Sequence, residues 1–296
     1  MKREKLEHLL SLEKERRGVN REKLVFVGMH NVAQYYWCAM QAVFKSRENE
    51  LEFFAAYLYD RIRYSEYLGL IDRLPESEET LLDIGNGITF SDVEKLLKES
   101  AERTKHLSFT FNARITTDEH GKRVMVINPD LSPKLRQRYE IDAKARGIRI
   151  ANPEEFPQLR GEFLQTTRAE QYPTIRWNFA WEGYVVVGVP EGITDRFVYE
   201  FKTTGSRFLL HFVKPVALTQ ADLYGYFFRR ERKRVQIYIV EEGTTETWED
   251  EVNKTKAIKV LGNFKRVDGG WAPPLPKAWK CKRCEFKRVC KLAKAI

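Results

Sequence analysis

Aromatic and aliphatic side chains recur every three or four residues in NVAQYYWCAMQAVF and again in LEFFAAYLYDRIRYSEYLGL. That spacing gives a helix one apolar face, so residues 25–110 are expected to be mainly helical. The start, MKREKLEHLLSLEKERRG, interleaves leucines with charges and predicts an amphipathic helix ending near Gly18. SDVEKLLKESAERT predicts another, with Ser91 as N-cap and Glu94 three residues later, the pattern of a capping box. SFTFNARITTDEHGKRVMVINPD alternates apolar and polar positions, predicting two strands joined around Glu119–Gly121. LSPKLRQRYEIDAKARGIRIANPEEF reads as a charged helix and turn.

From Pro157 the period changes. A short helix, PQLRGEFLQTTR, leads into strand-like TIRWNFAW, a turn at Glu182–Gly183, then YVVVGVPEGI and FVYEFKTT. A Pro-containing loop, the helix ALTQADLYGYFFRRERKR and the strand VQIYIVE follow. Helix, three strands, helix and strand in that order predict an α/β fold, a mixed sheet with helices packed on it. Four regions are expected. Residues 1–40 form a helical segment and 41–156 an inserted, mainly helical module with a possible hairpin and no recognisable chemistry of its own. Residues 157–270 form the core, and 271–296 carry a cysteine motif.

Composition adds a bias rather than an answer. The chain has 296 residues, enough for one large domain or two ordinary ones. Its formal net charge of +9 favours an anionic partner such as nucleic acid, with plain solubility as the bland alternative. No apolar run approaches the roughly 20 residues that cross a bilayer, and the N-terminus lacks a small-residue cleavage site. A cytoplasmic protein without a membrane partner is expected, a setting in which cysteines serve metals more often than disulfides.

The chemistry gathers in VVVGVPEGITDRFVYEFKTTG. A hairpin turning at Thr194–Asp195 sets Ile193 opposite Arg196 and Glu191 opposite Val198. Alternate residues of a strand share a face, so Glu200 and Lys202 lie together, with Glu191 as their cross-strand neighbour. Asp195 falls in the turn, roughly 13 Å along the strand from Glu191 at about 3.3 Å per residue. Two carboxylates and an ammonium on one face are expensive to bury unless a cation and an anionic ligand complete the set. Mg²⁺ or Mn²⁺ suits carboxylate oxygens. Either ion can polarise a scissile phosphate and activate water while the lysine steadies developing charge. The bland alternative is an exposed hairpin with a surface ion pair. Gln220 and Tyr224 stand one turn apart on the next helix, followed by the basic run RRERKR at 229–234.

Near the end, WKCKRCEFKRVCK gives Cys281-x-x-Cys284-x5-Cys290, and the only other cysteine is Cys38. Using each once makes a four-thiolate set joining the two ends of the chain. Four thiolates alone do not separate zinc from an iron–sulfur cluster. The five histidines, at 8, 30, 106, 120 and 211, show no ligand-like spacing.

Gly188-Val-Pro-Glu191, Glu200-Phe-Lys202 and Gln220-Ala-Asp-Leu-Tyr224, in this order and with these cysteines, resemble the RecB-type branch of the PD-(D/E)XK nucleases. The similarity is greatest to the CRISPR-associated RecB-like exonucleases, and it covers about residues 25–40 and 157–291. The resemblance implies a restriction-endonuclease-like mixed sheet flanked by helices and a metal-dependent deoxyribonuclease acting on single strands or duplex ends. It implies Glu191, Glu200, Lys202, Gln220 and Tyr224 as catalytic residues, and a 4Fe–4S cluster on Cys38, Cys281, Cys284 and Cys290. It further implies trimming of DNA for CRISPR spacers beside adaptation proteins, or DNA repair. Two departures stand out. Glu191 replaces the usual Asp, and Gly161-Glu-Phe-Leu-Gln165 places glutamine where many members carry a histidine metal ligand. The letters of Gly192-Ile-Thr-Asp195 also fit the hairpin motif, and the strand geometry argues against them. Arg229, Arg230 and Arg232, with Tyr226 and Phe228, are candidates for contacting nucleic acid, core packing being the plainer reading of the aromatics. Two other readings remain open: a catalytically weak DNA-binding or assembly protein with a degenerate nuclease fold, and a zinc-stapled nucleic-acid binder.

Overall fold

The computed structural model describes residues 1–17, 24–104, 112–282 and 284–294. Helix α1 (Arg3–Arg17) is followed by strand β1 (Val25–Gly28); Gly18, the expected helix end, lies outside the described residues. VFVG is a strand where helix was expected. All four residues are buried, so no alternation marks it. The predicted helix NVAQYYWCAMQAVF divides into α2 (Met29–Ala33), a 3₁₀ turn Gln34–Tyr36 and α3 (Ala39–Glu48), with Cys38 extended at the break. Then come α4 (Glu50–Tyr67), α5 (Glu78–Asp83) and α6 (Phe90–Thr104). The cap of α6 sits two residues before the expected Ser91. The Asp92 backbone N donates to Thr89 Oγ1, and Thr89 N donates back to Asp92 Oδ2.

Strands β2 (Ala113–Thr117) and β3 (Arg123–Ile127) form the expected antiparallel pair, turning through 118–122; residues 108–111 of the predicted first strand are not described. Helix α7 (Pro133–Ala145) leads to β4 (Arg149–Ala151), which adds to β3 in parallel. The second half runs α8 (Pro157–Arg168), β5 (Trp177–Trp181), β6 (Tyr184–Gly188), β7 (Gly192–Ile193), β8 (Phe197–Thr204), α9 (Arg207–Phe227), β9 (Arg232–Ile239), β10 (Thr244–Glu251), α10 (Lys254–Asp268), α11 (Ala278–Lys282) and α12 (Lys291–Lys294).

The strands form three sheets, ordered β1-β6-β5, β10-β9-β8-β7 and β2-β3-β4, each mixing parallel and antiparallel pairs. The α9 helix crosses between the parallel strands β8 and β9, a connection that seals one sheet face. Val198, Val235 and Ile237 meet Ala217, Ala221 and Tyr224 of α9 in the principal core. Tyr199 and Phe201, pointing the other way, pack with Leu164 of α8. The helix is longer than expected. Ser206 caps it, and Pro215 lies inside it rather than in a loop. Nor does the helix carry the basic run: Arg229 turns out of it at φ 55°, and residues 232–234 belong to β9.

The predicted long hairpin is also redrawn. Strand β6 pairs with β1 and β5, and only Gly192 and Ile193 pair with β8. Ile193 stands opposite Val198, not Arg196. Thr194 makes the turn wider. Its backbone N donates to Phe197 O, while its hydroxyl oxygen accepts from the backbone N of Arg196 and Phe197. A register change of two residues leaves every side chain on its expected face.

Candidate active site

Continuing the β7–β8 register by one residue brings Glu191 opposite Glu200, closer than the diagonal placement expected from sequence. Glu200 is completely buried, Glu191 is partly buried, and Asp195 is exposed. The structure therefore separates Asp195 from the pair. Lys202, two residues along β8, places Nζ 2.6 Å from Glu200 Oε1 while its side chain keeps partial access to solvent.

Two helices complete the surround. On α9, Gln220 Nε2 donates to Glu200 Oε2 at 3.2 Å and to the Tyr224 hydroxyl at 3.0 Å, all three side chains being buried. On α8, Gly161 lets the helix approach β8: a Cβ there would stand 3.0 Å from Thr203 Oγ1. One turn later Gln165 donates through Nε2 to Glu191 Oε2. The glutamine is thus in contact with the acid, where the resemblance expects a metal-binding histidine.

Charge is held here at a cost. Burial raises the Glu200 carboxyl to about 7, with Lys202 opposing the rise and Glu191 adding to it. Burial likewise raises Glu191, opposed by Lys202 and by the Gln165 hydrogen bond. Lys202 loses solvation but is held above its ordinary value by Glu200 and Glu191. Glu200 Oε1 meets only the Lys202 ammonium, and the buried Gln220 Oε1 has no hydrogen-bond donor. A buried oxygen without a donor beside an acidic pair fits a hard cation. Among the described residues, however, no three His, Cys, Asp or Glu side chains are already placed to hold an ion. The set on hand is two carboxylates plus amide oxygen.

The other proposed contacts divide. Arg230 is 7% exposed and is committed within the protein. Its Nε donates to Thr194 O at 2.7 Å, and Nη1 donates to Glu94 Oε1 and Phe228 O. It clamps the β7–β8 turn rather than facing a strand of nucleic acid. Arg229 and Arg232 are exposed, the former with its guanidinium over Phe90. Phe228 is buried and Tyr226 packs against the core, as the plainer reading held.

A supporting pair escaped the sequence reading altogether. Asp222, between Gln220 and Tyr224, pairs with Lys233 of β9, both buried, and also accepts from Asn253 N at 2.8 Å. Its only sequence signal was an acid on the inner face of an otherwise apolar helix.

No disulfide joins any of the four cysteines. Burial raises Cys38, Cys281 and Cys284, and neighbouring thiols raise each further, Cys281 and Cys290 acting on Cys38. The sulfurs are thus electrostatic neighbours, although among the described residues no three of them are placed to hold an ion. Around them the chain ends are already packed. Trp37 meets Trp279 at 5.7 Å and Phe44 meets Phe286 at 5.3 Å, while Lys280 Nζ donates to Trp37 O at 2.8 Å. A thiol set, two members buried and two half-buried, whose thiolate forms would repel one another suits a thiophilic metal, which would take up that charge.

No protein-family model and no curated protein matches this chain. Among solved structures, the crystal structure of SSO0001 is similar at 18% identity with a TM-score of 0.34, over 68% of this chain and 96% of that one. An alkaline exonuclease (LHK-Exo) from Laribacter hongkongensis is similar at 15% identity with a TM-score of 0.23, over 47% of this chain and 84% of that one. Both are distant likenesses. Among the described residues no helix is long and apolar enough to cross a membrane.

Proposed function

We propose that this chain is a divalent-cation-dependent deoxyribonuclease with a PD-(D/E)XK-type centre. The observation that carries the proposal is the convergence of Glu191, Glu200 and Lys202 beside the buried Gln220 amide oxygen, which lacks a donor. Glu191 and Glu200 would hold Mg²⁺ or Mn²⁺, with Gln165 orienting Glu191 and Gln220 orienting Glu200. When bound, the cation supplies Lewis-acid polarisation of a phosphate and a lowered pKa for a water. Lys202, partly open to solvent, is placed to hold the anionic phosphate and the charge that builds on it. Tyr224 acts through Gln220, fixing the amide so that its oxygen stays free. The test is cleavage of DNA with Mn²⁺, present in the wild type and lost in Lys202→Ala.

The finer readings rest on the motif resemblance: exonuclease action on single strands or duplex ends, and a cytoplasmic role in CRISPR adaptation or repair. Gln165→Ala would leave Glu191 without its orienting donor. Loss of such a partner costs about tenfold or more in metal affinity, so calorimetric titration with Mn²⁺ should show a dissociation constant weakened by about that factor.

For the cysteines we propose a 4Fe–4S cluster, with zinc as the alternative. Protein purified without oxygen should carry iron and a brown absorbance, or zinc without colour. Cys284→Ser should lose the metal and melt at a lower temperature, because a site joining Cys38 to residues 281–290 closes a very long loop. Metal analysis of the two proteins checks this directly.

A further inference from the structure

A cavity of about 520 Å³ opens against α4 and the segment Thr174–Arg176, within the range of about 300–1,000 Å³ typical of small-ligand sites. One wall is a stripe of α4, Asp60, Arg63, Tyr64 and Tyr67, which helical spacing sets on one face. Across from it stand Leu96, Glu99, Ile175 and Val189. The lining includes neither Glu191 nor Glu200 but reaches the segment that leads to Glu191. Val189 lies two residues before Glu191, and Thr174, also in the lining, donates its hydroxyl to Pro190 O.

The lining is electrically balanced. Arg176 is held by Asp60 through two hydrogen bonds of 2.6 and 2.8 Å, and Arg63 shares the cavity with Glu99. Such a surface does not single out a phosphate. It suits a neutral, flat group with polar edges. Tyr67 is 58% exposed, and the Arg63 guanidinium lies over its ring at 5.4 Å, so the two form a planar, solvent-accessible stack. The wall behind is fixed, since the Tyr64 hydroxyl donates to Arg176 O at 2.8 Å and its ring packs 5.5 Å from Trp177.

Resting on the nuclease reading, we infer that this cavity takes one unpaired nucleobase of the strand whose neighbouring phosphate lies at Glu191 and Glu200. Stacking on Tyr67 and Arg63 holds the base without reading its identity. A base still paired in a duplex cannot enter, so the strand must be single where it meets the centre. Helix α4, which from sequence had only a packing role, becomes part of the substrate channel.

The test compares wild type, Tyr67→Ala, Tyr67→Phe and Tyr59→Ala on a single-stranded DNA oligonucleotide and on copies carrying one abasic nucleotide at successive positions. Tyr59 is exposed on the same helix but outside the cavity. For wild type, one abasic position should raise KM by about tenfold, the scale of one lost base–aromatic stack. Tyr67→Ala should raise KM for the intact strand by a similar factor, chiefly in KM rather than kcat, and add nothing at that abasic position. Tyr67→Phe, which keeps the ring, and Tyr59→Ala should resemble wild type. An unchanged KM in Tyr67→Ala, or an equal rise on intact and abasic strands, would overturn the inference. If the wild type cuts no DNA, the nuclease reading fails by itself. The cavity is then judged by fluorescence anisotropy with the same oligonucleotides, and equal affinities for wild type and Tyr67→Ala would refute it.

Discussion

Glu200→Gln should remove Mn²⁺-dependent cleavage while leaving the metal-free protein at least as stable at pH 8 as the wild type. Glutamine keeps the shape of the side chain and its hydrogen bond from Gln220, but it cannot neutralise a cation. Loss of one group stabilising transition-state charge typically costs about 10²–10³ in rate, and loss of a ligand should cost no less. Lys202→Ala should fall in the same range. The stability half of the prediction follows from burial. The folded carboxyl sits at about 7, above its ordinary value. Its contribution to folding is therefore present at low pH and lost as pH rises through about 7. At pH 8 the wild type carries a buried charge that the amide does not. Lys202, left without its partner, keeps access to solvent. Thermal melts at pH 8 without metal, beside rate measurements with Mn²⁺, check both halves; a large loss of melting temperature would show that the pair is structural.

Asp222→Ala should be the most destabilising single change in this region, by about 3–5 kcal/mol. The carboxylate and Lys233 are 0% and 5% exposed, and they join α9 to β9 across the core. Removing the acid leaves an ammonium without a counter-charge where water does not reach, with Lys256 standing 3.9 Å from the vacated oxygen. Asn253 N loses its acceptor as well. Urea unfolding measures the loss. Because Gln220 and Tyr224 flank Asp222 on the same helix, any activity left in the variant should show weaker saturation with Mn²⁺.

What could be read from sequence was whatever a short period fixes. Glu200 and Lys202 are two apart on a strand, and Gln220 and Tyr224 four apart on a helix. Those face relations survived although the register was two residues off, because a shift of two restores the same face. The fate of YVVVGVPEGI was not legible: its first half joins one sheet and its last two residues another, a choice made by distant β1. Strand β10 went unseen because TTETWEDE is an exposed, acidic edge with no apolar alternation. Arg230 looked like surface because it lies in a basic run, and only the fold shows Glu94 and the Thr194 carbonyl waiting for it. Likewise α4 read as packing, since its spacing mixes core aromatics with the Arg63–Tyr67 stripe that opens on the cavity.

The most direct measurement is the position of Mn²⁺ in crystals soaked with the ion, located by its anomalous scattering. The proposed centre requires a peak within about 2.5 Å of carboxylate oxygens from both Glu191 and Glu200, a coordination distance for a hard cation. A fully occupied ion elsewhere, with those two side chains still bound only to Gln165, Gln220 and Lys202, would contradict it.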